Sequence, residues 1–327
     1  MSLTESGARI PRKPDGARFR HEALFYAGAE QFVRRAAGYV RDALAADEAI
    51  LVAVIEPRAK LLREELGAEA ERVEFADMER LGRNPARIIP AWQDWVERNT
   101  GPAGRRDRAE ERARGFRAIG EPVWAGRTGT EIRECQKYEE LLGVAFDRGP
   151  AWSLLCSYDI ESLPIDVVAM AHREHHPPPG VAAVADDVLV DPLPDLGPPI
   201  IELPFDLSAL PRLRSLIRQH ASALGLGERR VGDFVLVADE LAANSVRHGG
   251  GGGVLRLWHQ GSYAICEVHD AGVITDPLVG RRRPDFARHV GGAGLWTANR
   301  LCDLLLIRSA EAYGTSVRAH LAVGTAE

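Results

Sequence analysis

The chain has 327 residues, of which 45% are hydrophobic, and a net charge of −6 at pH 7. This length is enough for two domains with cores of their own. The acidic balance argues against direct nucleic-acid binding and against a membrane-surface protein, and no run reaches the ~18 apolar residues that a membrane span needs.

The first twenty residues are polar and lack the apolar core of a secretion signal. The four cysteines, Cys135, Cys156, Cys266 and Cys302, are far apart and form no C-x-x-C pair. Scattered thiols without an export signal are typical of a reducing compartment. We therefore expect a cytoplasmic protein without a disulfide framework.

Strand and helix patterns alternate through residues 18–176. The run Ala49–Ile55 is continuously apolar, which is typical of a buried parallel strand. Further strands are predicted at 73–76, 116–119 and 152–157, and helices at 28–44, 58–66, 87–98 and 130–142. This alternation predicts an α/β layer domain.

Prolines cluster between residues 177 and 199, from Pro177-Pro178-Pro179 to Pro198-Pro199. Proline at this density cannot continue a helix or a central strand and favours an extended connector. We place the linker at 177–199, between a first domain at 18–176 and a second at 200–324.

The second domain is predicted to follow the order βααββ, loop, αββ. Its strands are predicted at 200–203, 254–259, 263–269, 303–308 and 315–321, and its helices at 207–224, 228–247 and 294–301. The second helix carries Glu240, Asn244 and His248, and a four-residue step keeps side chains on one helix face. A carboxylate, an amide oxygen and an imidazole therefore form a polar stripe.

Three glycine motifs follow this stripe: Asp270-Ala-Gly272, Gly291-Gly292-Ala-Gly294-Leu295 and Gly314-Thr315. An acid beside a glycine and a flexible glycine loop are, with the stripe, the parts that hold a nucleotide and its magnesium ion. Any one of these motifs alone is explained as well by a capped, buried helix end or a turn. The ordered set favours the nucleotide site.

These motifs resemble those of the GHKL ATPases, which share the Bergerat α/β sandwich. That superfamily includes histidine-kinase catalytic domains, gyrase-type ATPases and anti-sigma-factor serine/threonine kinases. The resemblance covers residues 200–323, with the N box at Glu240–His248, the G1 box at Asp270–Gly272 and the G2 box at Gly292–Leu295. It implies that the second domain binds ATP with Mg²⁺.

The resemblance also implies a role for each motif residue. Asn244 would give its amide oxygen to Mg²⁺, and Glu240 would be the general base. Asp270 would accept a hydrogen bond from the adenine amino group, and Gly272 would let the backbone approach the base.

The remaining motif residues would contact the rest of the nucleotide. Gly291, Gly292 and Gly294 would present backbone N–H groups to the phosphates, beside Leu295. Thr315 would add a polar contact near the adenine. His248 would either contact phosphate or cap the carboxyl end of its helix.

The segment 273–290 stands where this superfamily has its ATP lid. It contains Arg281-Arg282-Arg283, and two interpretations stay open. The arginines either face the triphosphate or form an exposed basic run.

Within the superfamily, the short domain and the E-x-x-x-N-x-x-x-H stripe look most like the anti-sigma kinase branch. This implies a transcription regulator that sequesters a sigma factor, or phosphorylates a STAS-type anti-sigma antagonist on Ser/Thr, and acts as a homodimer. Two alternatives remain: a non-catalytic ATP-binding sensor, or a sensor histidine kinase. For the latter, His21-Glu22 is a superficial phosphoacceptor box without a long helical hairpin after it.

The first domain resembles the MEDS sensory domain, which is related to RecA-like α/β ATPases. The residues that carry the resemblance are His21–Tyr26, Gly120-Glu121, Tyr138-Glu139, Leu155–Asp159 and His172 with His176-Pro177. The loop after Ile55 has no G-x-x-x-x-G-K and so lacks a phosphate cradle. We therefore expect a non-hydrolysing sensing or interaction module, with a small molecule as one possible ligand.

Several side chains of this domain are ligand candidates with an ordinary alternative. The candidate metal or ligand contacts are His21, Cys156, His172, His175 and His176. Their spacing matches no standard zinc pattern, which favours ordinary roles as a core thiol and linker imidazoles. The candidate pocket-lining aromatics are Tyr26, Trp124, Trp152 and Tyr158, for which ordinary core packing is the favoured interpretation.

Overall fold

The computed structural model describes residues 19–100, 115–175, 188–221, 223–284 and 293–323. Within these residues the chain forms two five-stranded sheets, one in each half. Among them, no helix combines the length and the apolar content needed to cross a bilayer.

The first sheet is parallel throughout and has the strand order β1-β5-β4-β2-β3. Its strands are β1 (Phe19–Tyr26), β2 (Ala49–Val54), β3 (Glu74–Asp77), β4 (Phe116–Gly120) and β5 (Trp152–Asp159). Its helices are α1 (Gly28–Ala45), α2 (Glu56–Leu66), α3 (Met78–Leu81), α4 (Ile88–Thr100), α5 (Gly129–Phe146) and α6 (Ile165–His175), with 3-10 turns at Gly67–Arg72 and Pro85–Arg87.

Helices cover both faces of this sheet, as a parallel sheet requires. Helices α1 and α2 pack on the face that carries Tyr26, Val52 and Leu155. Helices α4, α5 and α6 pack on the face that carries Leu154 and Cys156. The apolar cluster on this second side continues without a break into the core of the C-terminal domain.

The second sheet is antiparallel and has the order β6-β7-β8-β10-β9. Its elements are β6 (Ile201–Asp206), a 3-10 turn (Leu207–Ala209), α7 (Leu210–Ala221), α8 (Glu228–His248), β7 (Gly252–Gln260), β8 (Tyr263–Asp270), α9 (Gly294–Leu301), β9 (Leu304–Ala310) and β10 (Gly314–Ala322). Helix α8 buries Phe234, Val237 and Leu241 and packs across β7, β8 and β10, with α7 and α9 beside it. The result is a two-layer α/β sandwich.

The described part of the proline-rich segment lies against the C-terminal sheet. The carbonyl of Leu189 accepts the backbone N–H of Ser309 at 2.8 Å. The carbonyl of Gly197 accepts the indole N–H of Trp258 at 3.0 Å. Residues 188–199 are therefore attached to the second domain, whereas 177–187 lie outside the described residues.

The predicted α/β fold class and the predicted element order of the second domain are confirmed. Three helices or strands were not predicted, namely β1, the single-turn helix α3 and α6. Strand β1 lies at the sheet edge, where the polar residues Arg20, His21 and Glu22 are only half-buried, so it lacks the apolar run of a central strand. Helix α6 buries only Val167 and Ala171 and exposes Ile165.

Candidate functional site

Helix α8 carries the predicted polar stripe on its side facing α9. Asn244 and His248 line a cavity of about 330 Å³ between α8, the ends of β8 and β10, and residues 272–279. Glu240 is half-buried one turn earlier, and its Oε2 and the Asn244 Nδ2 both lie against Gly294, the first residue of α9. The carboxylate and the amide therefore meet the start of the helix that follows the predicted phosphate loop.

Asp270 lies at the end of β8 and is held in the cavity wall by two donors. The hydroxyl of Ser245 donates to its Oδ2, and the backbone N–H of Gly272 donates to its Oδ1 at 2.8 Å. A Cβ at Gly249 would lie 2.3 Å from the Asp270 carboxyl carbon. The glycine after α8 is therefore what lets the strand end approach the helix end.

Thr315 faces the cavity from β10, directly opposite Asp270 in the strand register. Its hydroxyl donates to the carbonyl of Gly272 at 2.8 Å and contacts the Ser309 hydroxyl at 2.8 Å. The Ser309 hydroxyl in turn accepts the backbone N–H of Ile274 at 2.8 Å. This chain of hydrogen bonds fixes the backbone at 272–274, where the lid begins.

The structure brings most of the predicted nucleotide residues to one cavity. The predicted residues that line it are Asn244, His248, Asp270, Gly272, Leu295 and Thr315. Gly291 and Gly292 lie outside the described residues, so their contact with phosphate stays a prediction. The sequence analysis did not identify Ser245 or Ser309 as residues of the site. The one signal in the sequence was the position of Ser245, four residues before Gly249 on the cavity side of α8.

The three arginines of the lid differ in burial. Arg281 is buried, and its Nη2 lies 3.2 Å from Glu134 Oε2 on α5. For Arg281 the structure supports neither predicted interpretation, because the side chain neither faces the cavity nor reaches the surface. Arg282 and Arg283 are exposed, in keeping with a surface run.

Comparison with known families gives two matches along the chain. The model of MEDS, the methanogen/methylotroph DcmR sensory domain, matches residues 20–176. The model of the histidine kinase-like ATPase domain matches residues 203–321. The chain joins a MEDS sensory domain to a histidine kinase-like ATPase domain. No curated protein matches it. The ATPase domain implies ATP binding by a regulatory protein with kinase-like activity.

In the MEDS domain, ion pairs occupy the carboxyl ends of the parallel strands, where α/β sheets usually bind ligands. Arg58, just after β2, pairs with Glu121 and lies 2.7 Å from Asp159 Oδ2. Burial raises the pKa of Glu121 to about 7, although Arg58 opposes this shift. Because both carboxylates hold Arg58, its guanidinium is already paired and does not present a free cation to a triphosphate. This agrees with the missing phosphate cradle in the loop after β2.

Four polar side chains meet on the α5/α6 face of the MEDS sheet. The Nε2 of His21 on β1 lies 3.2 Å from Cys156 Sγ on β5, 2.7 Å from Glu139 Oε2 on α5 and 2.9 Å from His175 Nε2 on α6. Burial raises the pKa of the Cys156 thiol, and Glu139 adds to the rise. Glu139 was named only as part of the family motif, because a lone Glu on a helix carries no metal signal.

The other ligand candidates of this domain have different surroundings. His172 stacks on Phe25 with ring centroids 3.7 Å apart, and His176 lies outside the described residues. Tyr26, Trp152 and Tyr158 are fully buried, as core residues are. These three aromatics therefore follow the core-packing alternative.

Proposed function

We propose that this chain is an anti-sigma-factor-type regulator. The ATPase domain binds Mg-ATP and either sequesters a sigma factor or phosphorylates a STAS-type anti-sigma antagonist on Ser/Thr, as a homodimer, and the MEDS domain controls it. One observation carries the proposal: Asn244, Asp270 and Thr315, from three elements, converge on one 330 Å³ cavity beside the start of α9.

The residues of the cavity fit an adenine nucleotide. An ionised carboxylate only accepts hydrogen bonds, and Asp270 has acceptor capacity left beyond Ser245 and Gly272. Adenine offers an amino donor where guanine offers a carbonyl, so Asp270 favours adenine. A Cβ at Gly272 would lie 2.7 Å from the His248 carbonyl, so glycine keeps this wall open.

Asn244 and Glu240 would divide the phosphate chemistry between them. The Asn244 amide oxygen suits Mg²⁺, a hard cation that prefers oxygen ligands. Glu240 Oε2 would take the proton of an attacking serine or threonine hydroxyl. Bound Mg-ATP supplies the phosphoryl group. Their common contact with Gly294 supports this division, because Gly294 belongs to the glycine motif that we propose binds the phosphates.

The surroundings of His21 argue against a histidine kinase. A phosphoacceptor histidine must reach a second active site, but His21 sits on β1 inside a polar cluster, with only 16% of its side chain exposed. The helix that precedes the linker, α6, has 11 residues. Among the described residues, no long helical hairpin precedes the ATPase domain.

Control by the MEDS domain is supported first by a buried ion cluster. Glu134 on α5 accepts hydrogen bonds from Arg281 in the lid at 3.2 Å and from Arg308 on β9 at 2.6 Å. All three side chains are buried. Separating buried charges from their partners is strongly unfavourable. A movement of α5, which carries Glu134, would therefore shift Arg281 and the lid.

A second set of contacts links the MEDS domain to α9. Arg87 donates to the carbonyls of Asn299, Arg300 and Cys302 at the carboxyl end of α9, at 2.7, 2.8 and 2.6 Å. The Asn299 amide donates to the lid carbonyl of Gly280 at 2.8 Å. Helix α9 and the lid, two of the parts that border the cavity, are therefore attached to the sensor domain.

The test uses the full chain with candidate sigma factors and STAS-type antagonists, with and without Mg-ATP. We expect ATP-dependent capture of a sigma factor, or acid-stable phosphate on the antagonist. Glu240→Gln should abolish transfer and keep nucleotide binding. Glu228→Gln is the matched control, because Glu228 is an exposed acid in the first turn of the same helix.

The other outcomes separate the alternatives. Nucleotide binding with neither transfer nor ATP-dependent capture would select a non-catalytic ATP sensor. Acid-labile phosphate on the chain itself would select a histidine kinase. If Mg-ATP does not bind the full chain, the proposal fails.

A further inference from the structure

The cluster of His21, Glu139, Cys156 and His175 gathers four metal-ligating side chains from four separate elements. One potential ligand atom from each residue lies within 4.8 Å of all the others. In a tetrahedral zinc site with bonds of ~2.0–2.3 Å, ligand atoms lie about 3.3–3.8 Å apart. Small side-chain movements would bring the observed distances between the four ligand atoms to these tetrahedral values.

Hydrogen bonds alone satisfy this cluster poorly. His21 Nε2 has three neighbours at 2.7–3.2 Å, namely Glu139 Oε2, His175 Nε2 and Cys156 Sγ. A single N–H on that nitrogen points well at one of them. The two imidazole nitrogens also face each other at 2.9 Å. A cation among the four atoms would satisfy all of them at once.

The surrounding contacts orient the donors as in known metal sites. His175 Nδ1 lies 2.8 Å from the carbonyl of Ala171, so a proton on Nδ1 leaves Nε2 as the ligand atom. The hydroxyl of Tyr158 donates to Glu139 Oε1 at 2.9 Å, which leaves Oε2 turned toward the cluster. Such second contacts on a ligand histidine and a ligand carboxylate hold both in position.

The burial and the charge of Cys156 and Glu139 also fit a metal site. Cys156 is fully buried and Glu139 is 5% exposed. Buried charges in proteins are paired or coordinate metals. A divalent cation would neutralise one thiolate and one carboxylate, and two neutral imidazoles would complete the set.

We propose that His21, Glu139, Cys156 and His175 bind one divalent transition-metal ion, with Zn²⁺ the best match. Four ligands of mixed nitrogen, sulfur and oxygen type suit tetrahedral zinc, whereas Mg²⁺ and Ca²⁺ prefer oxygen alone. Loading forms the metal–sulfur bond and releases the thiol proton to solvent. His21 is the partly exposed ligand and marks the entry side.

The test titrates Co²⁺ into the full chain after chelator treatment under reducing conditions. We expect one equivalent per chain, visible bands of four-coordinate cobalt and a near-ultraviolet thiolate-to-cobalt band. Zn²⁺ should displace the cobalt. Cys156→Ser should remove the thiolate band, and Glu139→Gln and His175→Gln should each weaken Co²⁺ binding at least about tenfold.

Two matched controls separate the site from adventitious binding. Cys135→Ser changes another buried thiol, on α5, that donates to the carbonyl of Pro122 at 3.1 Å. His172→Gln changes a histidine one turn before His175. Both variants should keep the full cobalt spectrum. Tyr158→Phe should keep the thiolate band but lower Co²⁺ affinity about tenfold.

Any of three results would overturn the proposal. The first is a wild-type chain that binds no stoichiometric Co²⁺, and the second is a thiolate band that survives Cys156→Ser. The third is a cobalt affinity that is unchanged in both Glu139→Gln and His175→Gln. Circular dichroism of each variant establishes that it is folded. Nucleotide binding is measured separately, so the metal site and the proposed function stand or fall independently.

Discussion

The proposed nucleotide cavity and the His/Cys cluster are both polar sites at the edge of a core, but they are packed in opposite ways. In the ATPase domain, glycines hold backbone segments close together and leave about 330 Å³ open beside Asn244 and Asp270. In the MEDS domain, the polar side chains fill the space themselves, with their donor atoms in mutual contact.

This difference indicates the size of what each site accepts. A cavity of a few hundred Å³ with a few fixed polar groups is typical of a small-molecule site. Donor atoms that touch one another leave room for a single ion. Helix α5 connects the two sites, because it carries Glu139 at the cluster and Glu134 at the lid.

The largest expected effect on stability comes from breaking the ion cluster between Glu134 on α5 and the two arginines of the ATPase domain. Glu134→Ala leaves the guanidinium groups of Arg281 and Arg308 buried without their carboxylate, which should lower the free energy of unfolding by about 3–5 kcal/mol. Urea denaturation of the full chain measures it. Arg133→Ala, an exposed neighbour on α5, should change stability by less than about 0.5 kcal/mol. Equal effects would mean that the buried ion cluster does not join the domains.

Asp270→Asn should weaken ATP binding and leave metal binding at the His/Cys cluster unchanged. The amide keeps the shape of the side chain but replaces an acceptor oxygen with a donor, so adenine nucleotide affinity should fall roughly 100-fold. Calorimetric titration with ATP measures the change, and Co²⁺ binding should stay as in the wild type.

The matched control for Asp270→Asn is Asp276→Asn, another acid of the same cavity wall, which should change affinity less than about threefold. A similar loss in both variants would mean that Asp270 has no special place in base recognition.

Gly294→Ala tests whether open space, and not only polar groups, makes the nucleotide site. The new Cβ would lie 2.7 Å from Asn244 Nδ2 and 2.8 Å from Glu240 Oε2, so both side-chain ends must move. Affinity for Mg-ATP should fall about tenfold, with a smaller loss when magnesium is absent.

Gly232→Ala on α8 is the control for Gly294→Ala, because a Cβ there meets nothing within 4 Å. It should leave affinity unchanged and raise stability by up to about 1 kcal/mol through helix propensity. If Gly294→Ala binds Mg-ATP as the wild type does, the close contact is not part of the site.

The smallest effect concerns His320 on β10, a histidine outside both sites that serves as a reference. Burial lowers its pKa from 6.5 to about 4, and Arg318 adds to the shift. Its imidazole is therefore neutral in the folded chain and gains a proton below pH 6.5 in the unfolded chain. Stability should fall by about 0.7 kcal/mol between pH 7 and pH 6, and further toward pH 4.

Denaturation of His320→Gln at the two pH values measures this contribution. The variant should lose about 0.7 kcal/mol less than the wild type over the same interval. An identical pH dependence in both chains would place the responsible protonation elsewhere.

The two sites also differ in how far the sequence predicts them. Three residues of the proposed nucleotide site, Glu240, Asn244 and His248, sit at four-residue spacings on one helix, so periodicity alone places them on one face. His21 and Cys156 are 135 residues apart and meet only because β1 pairs with β5. No local pattern encodes that pairing, and Glu139 enters from a third element.

The sequence also predicts neither the edge strand nor the contacts between the domains. Apolar runs predicted the central strands, but the edge strand β1 was missed because it begins with a polar stretch at residues 20–22. The burial of Arg281 was also missed, because its partner Glu134 lies 147 residues earlier. A run of three arginines has the same appearance in sequence whether one of them is buried or none is.

The hydrogen bonds that Arg87 makes to the end of α9 have a consequence for protein engineering. An ATPase fragment cut at the proline-rich segment would leave three carbonyls without their guanidinium donor. Exchanging the sensor for another module would do the same unless the substitute also supplied a cation at that position. The two domains therefore cannot be exchanged independently, and a shortened protein made for biochemistry should retain residues 84–87 together with the ATPase domain.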